Sequence, residues 1–122
     1  MKKILFLLPL LLISCFDDNG NYILKFDNSY VEVSDSAQKD TVYLYATQNW
    51  VGTVYSDSTW ATVTPMSGTL PDGVPATFRI VIDVQKNNDT LPRTMILHVR
   101  DNANECYTNM QLLQKGAEKA KN

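Results

Sequence analysis

The chain has 122 residues, with 11 basic and 13 acidic side chains and a formal net charge of −2. This length gives room for one domain, which is large enough to bury a core but small enough to be marginally stable. A mildly acidic surface argues against nucleic acid as a partner, because nucleic-acid-binding proteins concentrate Lys and Arg to neutralise phosphates.

The first 14 residues have the features of an export signal. Met1 to Lys3 form a basic start, and the segment from Ile4 to Ile13 is almost purely apolar. This segment is shorter than the about 20 residues that a membrane-spanning helix needs, but it matches the apolar region of a signal peptide. Removal of residues 1–14 would leave 9 basic and 13 acidic residues, a net charge of 9 − 13 = −4.

The signal ends in Leu12-Ile13-Ser14-Cys15, which resembles the lipobox of bacterial lipoproteins. The resemblance implies cleavage before Cys15 and attachment of diacylglycerol to its thiol. One acyl chain holds a protein on a membrane only marginally, at about 0.8 kcal/mol per buried CH2, whereas two or three chains hold it stably. A plain secretory signal that happens to contain a cysteine is the alternative.

Residues 15–21 are expected to be the acylated cysteine and a polar tether. The acidic pair Asp17-Asp18 resembles the surface-export signal of Bacteroidetes lipoproteins, which implies an outer-membrane lipoprotein that faces the outside of the cell. The alternative is a linker on the periplasmic side. With Cys15 acylated, Cys106 has no partner for an intramolecular disulfide, and its position on an inward strand face predicts a buried, unreactive thiol. The alternative is an intermolecular disulfide or a reactive thiol.

From Tyr22 onward the apolar residues alternate with a period of two, and no helical spacing is sustained. The first predicted strand, Tyr22 to Val33, is interrupted by the turn-forming pair Asp27-Asn28. A polar loop over Ser34 to Asp40 precedes the strand Thr41 to Thr47. That strand places Tyr43 and Tyr45 on the face opposite its apolar side chains.

The segment from Trp50 to Gly68 holds both tryptophans and predicts two short strands around the polar turn Ser56-Asp57-Ser58. Trp50 and Trp60 are predicted to lie in the core. The alternative is that they are sugar platforms, since a flat indole matches the apolar face of a pyranose. From Thr69 to Pro75, prolines and a glycine exclude a central strand.

Three further strands are predicted, at Thr77 to Gln85, Arg93 to Arg100 and Glu105 to Gln114. About seven strands without a helix indicate an all-β, immunoglobulin-like sandwich over residues 22–116, followed by a flexible tail at 117–122. The predicted structural core contains large inward side chains from these strands: Trp50, Trp60, Phe78, Ile80, Ile82, Leu97 and Leu112.

The order of several short motifs resembles the BACON domain, an immunoglobulin-like module common in Bacteroidetes. The motifs are Trp50, Ser56-Asp57, Trp60, the run Val63 to Gly68, the strand Phe78 to Val84, Arg93 before Met95 to Val99, and Leu112 to Gly116. The resemblance covers residues 22–116. It implies carbohydrate or mucin binding, as proposed for this family, and many members look like spacers within larger proteins.

The sequence offers little for catalysis. His98 is the single histidine, is predicted on an outward strand face, and has no second ligand at metal-binding spacing. Ser67 lacks the Gly-x-Ser-x-Gly elbow of serine hydrolases, and no pair of carboxylates stands out as acid and base for glycoside hydrolysis. We therefore expect no enzyme activity, no metal and no cofactor.

The outward tyrosines are the candidate carbohydrate-binding residues: Tyr43, Tyr45 and Tyr107. If they cluster, their rings could stack on glycans; otherwise they only stabilise the sheet through cross-strand pairing. The expected function is that of a lipid-anchored envelope module that binds mucin or polysaccharide glycans. The alternative is an accessory lipoprotein that docks on another envelope protein. Glycan binding predicts exposed rings beside hydrogen-bonding side chains, whereas docking predicts a larger continuous apolar patch.

Overall fold

The computed structural model describes residues 23–56, 59–102 and 106–118. The predicted signal peptide, the lipidation site Cys15, the tether, most of the turn at residues 56–58 and the end of the tail lie outside the described residues. Within the part that is described, no helix is long and apolar enough to cross a membrane.

The described residues form nine strands and one 3-10 turn at Pro71–Gly73. The strands are β1 (Leu24–Phe26), β2 (Tyr30–Val33), β3 (Gln38–Ala46), β4 (Trp50–Tyr55), β5 (Ala61–Thr64), β6 (Ser67–Gly68), β7 (Ala76–Val84), β8 (Arg93–Asp101) and β9 (Tyr107–Gln114). They make a four-stranded sheet in the order β1-β3-β7-β5 and a five-stranded sheet in the order β2-β9-β8-β4-β6. Two such sheets packed face to face confirm the predicted immunoglobulin-like sandwich.

The interruption predicted at Asp27-Asn28 is where the chain passes from one sheet to the other. Before it, β1 pairs antiparallel with β3, and after it β2 pairs parallel with β9. The Asp27 side chain fixes the crossing, because its Oδ1 accepts from the Tyr43 backbone N–H at 2.9 Å. Asn28 Oδ1 accepts from the Tyr30 N–H at 3.2 Å, the local bond that such residues make at turns.

The segment with both tryptophans also changes sheets. Strand β4 lies in the five-stranded sheet, β5 joins the four-stranded sheet, and β6 returns to pair with the start of β4. A cis peptide bond at Thr64-Pro65 lies in the connection between β5 and β6. The predicted corner at residues 65–68 is therefore one of the places where the chain passes from one sheet to the other.

The core lies between the sheets and follows the period-two pattern. On β7 the buried residues Ile80, Ile82 and Val84 alternate with more exposed neighbours, as β7 packs between β3 and β5. Leu97 and Leu112 are fully buried on the facing sheet. Trp50 is 2% exposed and packs edge-on against the partly buried Phe78, with ring centroids 5.5 Å apart. Trp60 is 4% exposed.

At one end of the sandwich, the fully buried Gln114 joins the loop between β2 and β3 to the loop between β7 and β8. Its Nε2 donates to the carbonyl oxygens of Gln85 at 2.9 Å and Asp35 at 3.2 Å. Its Oε1 accepts from Arg93 Nε at 2.8 Å, and Arg93 Nη2 donates to the carbonyls of Gln85 and Lys86. A buried amide that is paired on both its atoms holds these loops in register.

Backbone hydrogen bonds hold the C-terminal segment to the sandwich as far as Ala117, one residue beyond the predicted end of the domain. Lys115 N–H donates to the Val33 carbonyl at 3.0 Å, and Ala117 N–H donates to the Asp89 carbonyl at 2.8 Å. The buried Asn87 reinforces this, since its Nδ2 donates to the carbonyls of Leu91 and Lys115. Backbone hydrogen bonds thus reach the first residue of the predicted tail, and the flexibility of residues 117–122 stays a prediction.

Cys106 differs from its prediction in one respect. It lies directly before β9 and is 2% exposed, but it is disulfide-bonded and not a free thiol. The expectation that Cys106 forms no disulfide is wrong for this structure. This matters for the predicted lipidation of Cys15 for a chemical reason. A thiol that carries a lipid thioether cannot also form a disulfide.

Candidate functional site

The three predicted tyrosines are exposed, but they do not lie on one surface. Tyr43 and Tyr45 are 42% and 40% exposed on β3, on the outer face of the four-stranded sheet. Tyr107 is 50% exposed at the start of β9, in the opposite sheet. A single site made of all three tyrosines is therefore excluded, because the thickness of the sandwich separates them.

On the four-stranded sheet, Tyr43 and Tyr45 are two residues apart and share a face. Their cross-strand neighbours on β7 are Arg79 and Thr77, and Lys25 of β1 lies opposite Tyr45. An open depression of about 180 Å3 at this place is mostly apolar, and it is lined by Lys25, Phe26, Asp27, Tyr43, Tyr45 and Thr77. We call this surface the β3 face.

On the five-stranded sheet, Tyr107 belongs to a row of three rings. Its ring centroid is 5.5 Å from that of His98, with an angle of 35° between the planes. The His98 ring is in turn 6.1 Å from that of Tyr55, at an angle of 57°. We call Tyr55, His98 and Tyr107 the aromatic row. Tyr55 is the most exposed aromatic side chain among the described residues, at 56%.

The strand register explains why these rings meet. His98 on β8 lies opposite Thr53 of β4 and Asn109 of β9. Tyr55 is two residues after Thr53, and Tyr107 is two residues before Asn109. The two tyrosines are thus diagonal neighbours of His98 on opposite sides, and diagonal pairs are within reach of aromatic side chains. The aromatic row consequently runs obliquely across the strands β4, β8 and β9.

Polar side chains surround the aromatic row. His98 Nδ1 is 2.7 Å from Asn109 Oδ1. An amide oxygen only accepts, so Nδ1 is the donor of this hydrogen bond. Arg100 lies opposite Tyr107, and Gln111 lies opposite Ile96. An open depression of about 500 Å3 at the Tyr55 end is lined by Val54, Tyr55, Ser56, Thr94 and Ile96.

The tryptophans are not part of either surface. With exposures of 2% and 4%, Trp50 and Trp60 have no ring face available for a sugar. Arg93 covers Trp60, with its guanidinium carbon 4.5 Å from the centroid of the indole. Burial lowers the pKa of Arg93, and the nearby carboxylate of Asp89 partly opposes this shift. Arg93 and Trp60 thus contribute to the fold and not to a binding surface.

Sequence reasoning found Tyr107 and the outward position of His98, but it missed Tyr55. The signal was present, because alternation that starts from the inward Trp50 places residue 55 on the outer face. The diagonal contact of Tyr55 with His98 depends on the pairing of β4 with β8, which the order of residues in one strand does not give. Among the described residues, no group of three His, Cys, Asp or Glu side chains is placed to hold a metal ion.

Comparisons with known proteins identify the fold but no family. No protein-family profile and no curated protein sequence matches the chain. A solved GH5 xyloglucanase of Bacteroides ovatus, in complex with a XXXG heptasaccharide, is similar with a TM-score of 0.64 and 13% identity, over 81% of this chain and 20% of that chain. The periplasmic chaperone SfaE is similar with a TM-score of 0.62 and 8% identity, over 78% of this chain and 58% of that one.

A third similar structure is WR4, a Caenorhabditis elegans member of the MSP family. Its TM-score is 0.51 at 9% identity, over 77% of this chain and 97% of that chain. Our chain spans about a fifth of the xyloglucanase and somewhat more than half of SfaE. At such identities the likeness concerns the fold alone, and sandwiches of this kind carry many unrelated functions.

Proposed function

We propose that this chain is a non-catalytic, lipid-anchored protein of the cell envelope that binds carbohydrate through the outer face of its five-stranded sheet. The observation that carries the proposal is the aromatic row of Tyr55, His98 and Tyr107. Its two tyrosines are at least half exposed, and hydrogen-bonding side chains lie directly beside them.

The mixture of rings and polar groups supports a glycan over a protein partner. A pyranose has apolar C–H faces that pack on aromatic rings and hydroxyl groups at its edge that need hydrogen-bond partners. Around the aromatic row, Thr53, Asn109 and Gln111 occupy the positions between and beside the rings. A protein-docking surface would instead have a continuous apolar centre with its polar groups at the rim.

The wider assignment rests on the sequence. The resemblance to the lipobox supports attachment through Cys15, and the acidic pair that follows supports exposure on the cell surface. The resemblance to BACON domains supports glycans as ligands. The xyloglucanase with a similar fold was solved with an oligosaccharide, but its likeness to this chain concerns the fold.

The test is a glycan-array screen, with mucin glycans and plant polysaccharides, of the soluble domain from Asn21 to Asn122. We expect a reproducible signal that is strongly reduced in Tyr55→Ala and Tyr107→Ala while the melting temperature changes little. Tyr43→Ala and Tyr45→Ala are the matched variants on the opposite sheet. Loss of binding in these two variants alone would move the site to the β3 face, where the sequence first suggested it.

The second candidate function is that of an accessory lipoprotein that docks on another envelope protein. The mostly apolar depression on the β3 face, at Phe26, Tyr43 and Tyr45, favours this candidate. A blank array from a folded domain, together with cross-linking in intact cells that is lost in Tyr43→Ala, would establish docking and refute glycan binding.

A further inference from the structure

We infer that the ligand is a linear saccharide chain that lies obliquely across β4, β8 and β9 and contacts one ring with each of three consecutive units. The inference rests on the proposed function and names the class of glycan: an internal stretch of an extended chain and not a single terminal sugar. It makes Tyr55, His98 and Tyr107 three adjacent subsites.

The spacing of the aromatic row favours several sugar units over one. Neighbouring ring centroids are 5.5 and 6.1 Å apart, which is about the size of one ring and its linkage. A single pyranose can cover only one of these rings. A monosaccharide would therefore contact one of the three rings, whereas a linear chain would contact all three.

The tilt of the rings argues for a flexible chain. The planes of His98 and Tyr107 are inclined by 35°, and those of Tyr55 and His98 by 57°, so the three rings share no common plane. A flat, rigid ligand such as a fused aromatic system could lie on one ring but not on all three. In a saccharide chain, rotation about each glycosidic linkage lets successive units adapt to rings of different orientation.

Hydrogen-bonding groups that could bind sugar hydroxyls lie on both sides of His98, the central ring of the aromatic row. The bond between His98 Nδ1 and Asn109 Oδ1 leaves His98 Nε2 and Asn109 Nδ2 available for hydrogen bonds with a ligand. The backbone register puts Thr53 on the other side of His98, where its hydroxyl can donate or accept. A central sugar unit on His98 would thus have complementary groups on both edges. This is the pattern expected for neutral, hydroxyl-rich units.

The experiment measures affinity against chain length. The full-length protein in mild detergent is titrated calorimetrically with two linear series, β-1,4-gluco-oligosaccharides and poly-N-acetyllactosamine oligosaccharides, each from one to six units. We expect the better series to gain about tenfold in affinity per unit up to three units, since each unit adds one ring contact, and then to level off. Tyr55→Ala or Tyr107→Ala should move the plateau to two units.

The controls separate the inference from the proposed function. Tyr55→Phe and Tyr107→Phe keep the rings and should keep the plateau at three units, whereas Tyr43→Ala on the opposite sheet should change nothing. Equal affinity for one unit and for longer chains would overturn the inference while leaving carbohydrate binding in place. No binding of either series, together with a blank glycan array, would overturn both.

Discussion

The guanidinium carbon of Arg93 lies 4.5 Å from the centroid of the Trp60 ring, and Nε of the same side chain donates to Gln114 at 2.8 Å. Arg93 therefore connects the indole of the segment before β5 with the end of β9. The flat guanidinium can stack on a ring and donate to three acceptors at once, which an ammonium cannot do in the same geometry.

We expect Arg93→Lys to lower the free energy of unfolding by about 1–3 kcal/mol, because buried acceptors, Gln114 Oε1 among them, lose their donor. Arg79→Lys is the matched control, since Arg79 lies exposed on the outer face of β7, and it should change the value by less than about 0.5 kcal/mol. Urea unfolding of both variants measures the difference. Equal effects would show that the Arg93 cluster is not structural.

Replacement of Trp60 by Ala should destabilise the domain by about 3–5 kcal/mol, the range for a large aromatic side chain removed from a core. Trp60 is 4% exposed and is covered by Arg93, so the truncation leaves a cavity and an unsupported cation. Tyr55→Ala removes a ring of similar size from the surface and should cost less than about 1 kcal/mol. A melting temperature that hardly moves in Trp60→Ala would contradict the core position.

Gly68 is expected to tolerate no side chain. A Cβ atom at this position would overlap the indole nitrogen of Trp50 and come within 2.7 Å of Phe78 Cε2. We expect Gly68→Ala to destabilise the fold by about 1–3 kcal/mol, because both rings are held in the packed interior. Ser67→Ala, next to it on β6 and exposed, should be close to neutral. Thermal unfolding measures the melting temperature of both variants, and equal values would contradict the close approach of Gly68 to the two rings.

The alternation of side chains gave the fold class because a sandwich buries one face of each strand. On β7 the sequence predicts the buried residues Ile80 and Ile82, and on β9 it predicts the buried Leu112. The passages between the sheets, among them those at Asp27-Asn28 and at Pro65, were visible only as turns. Which sheet receives a strand after a turn depends on long-range pairing, and no local pattern encodes it.

The alternation of side chains predicted some residues of the candidate site but not how they come together. That Tyr43, Tyr45 and Tyr107 face outward follows from the period of two, but an outer face exists on both sheets. Only the topology shows that β3 and β9 lie in opposite sheets and that Tyr55, on a strand dominated by Trp50, comes next to His98. To predict a site that is assembled from three strands, one thus needs the strand order as well as the sequence.

Lipidation of Cys15 would prevent this cysteine from being the disulfide partner of Cys106. Cys15 is the only other cysteine of the sequence, and a diacylglyceryl thioether occupies the sulfur that a disulfide would need. For protein purified from membranes, we expect a mass that exceeds the chain from Cys15 by two or three acyl groups.

The unlipidated precursor provides the control, because it carries no acyl group and its mass should equal that of the unmodified polypeptide. If membrane-purified protein also carries no lipid mass, then the export signal is a plain secretory one. Anchoring would then have to be abandoned, while the sandwich and its aromatic row would be unaffected, since both are built from residues 23–118.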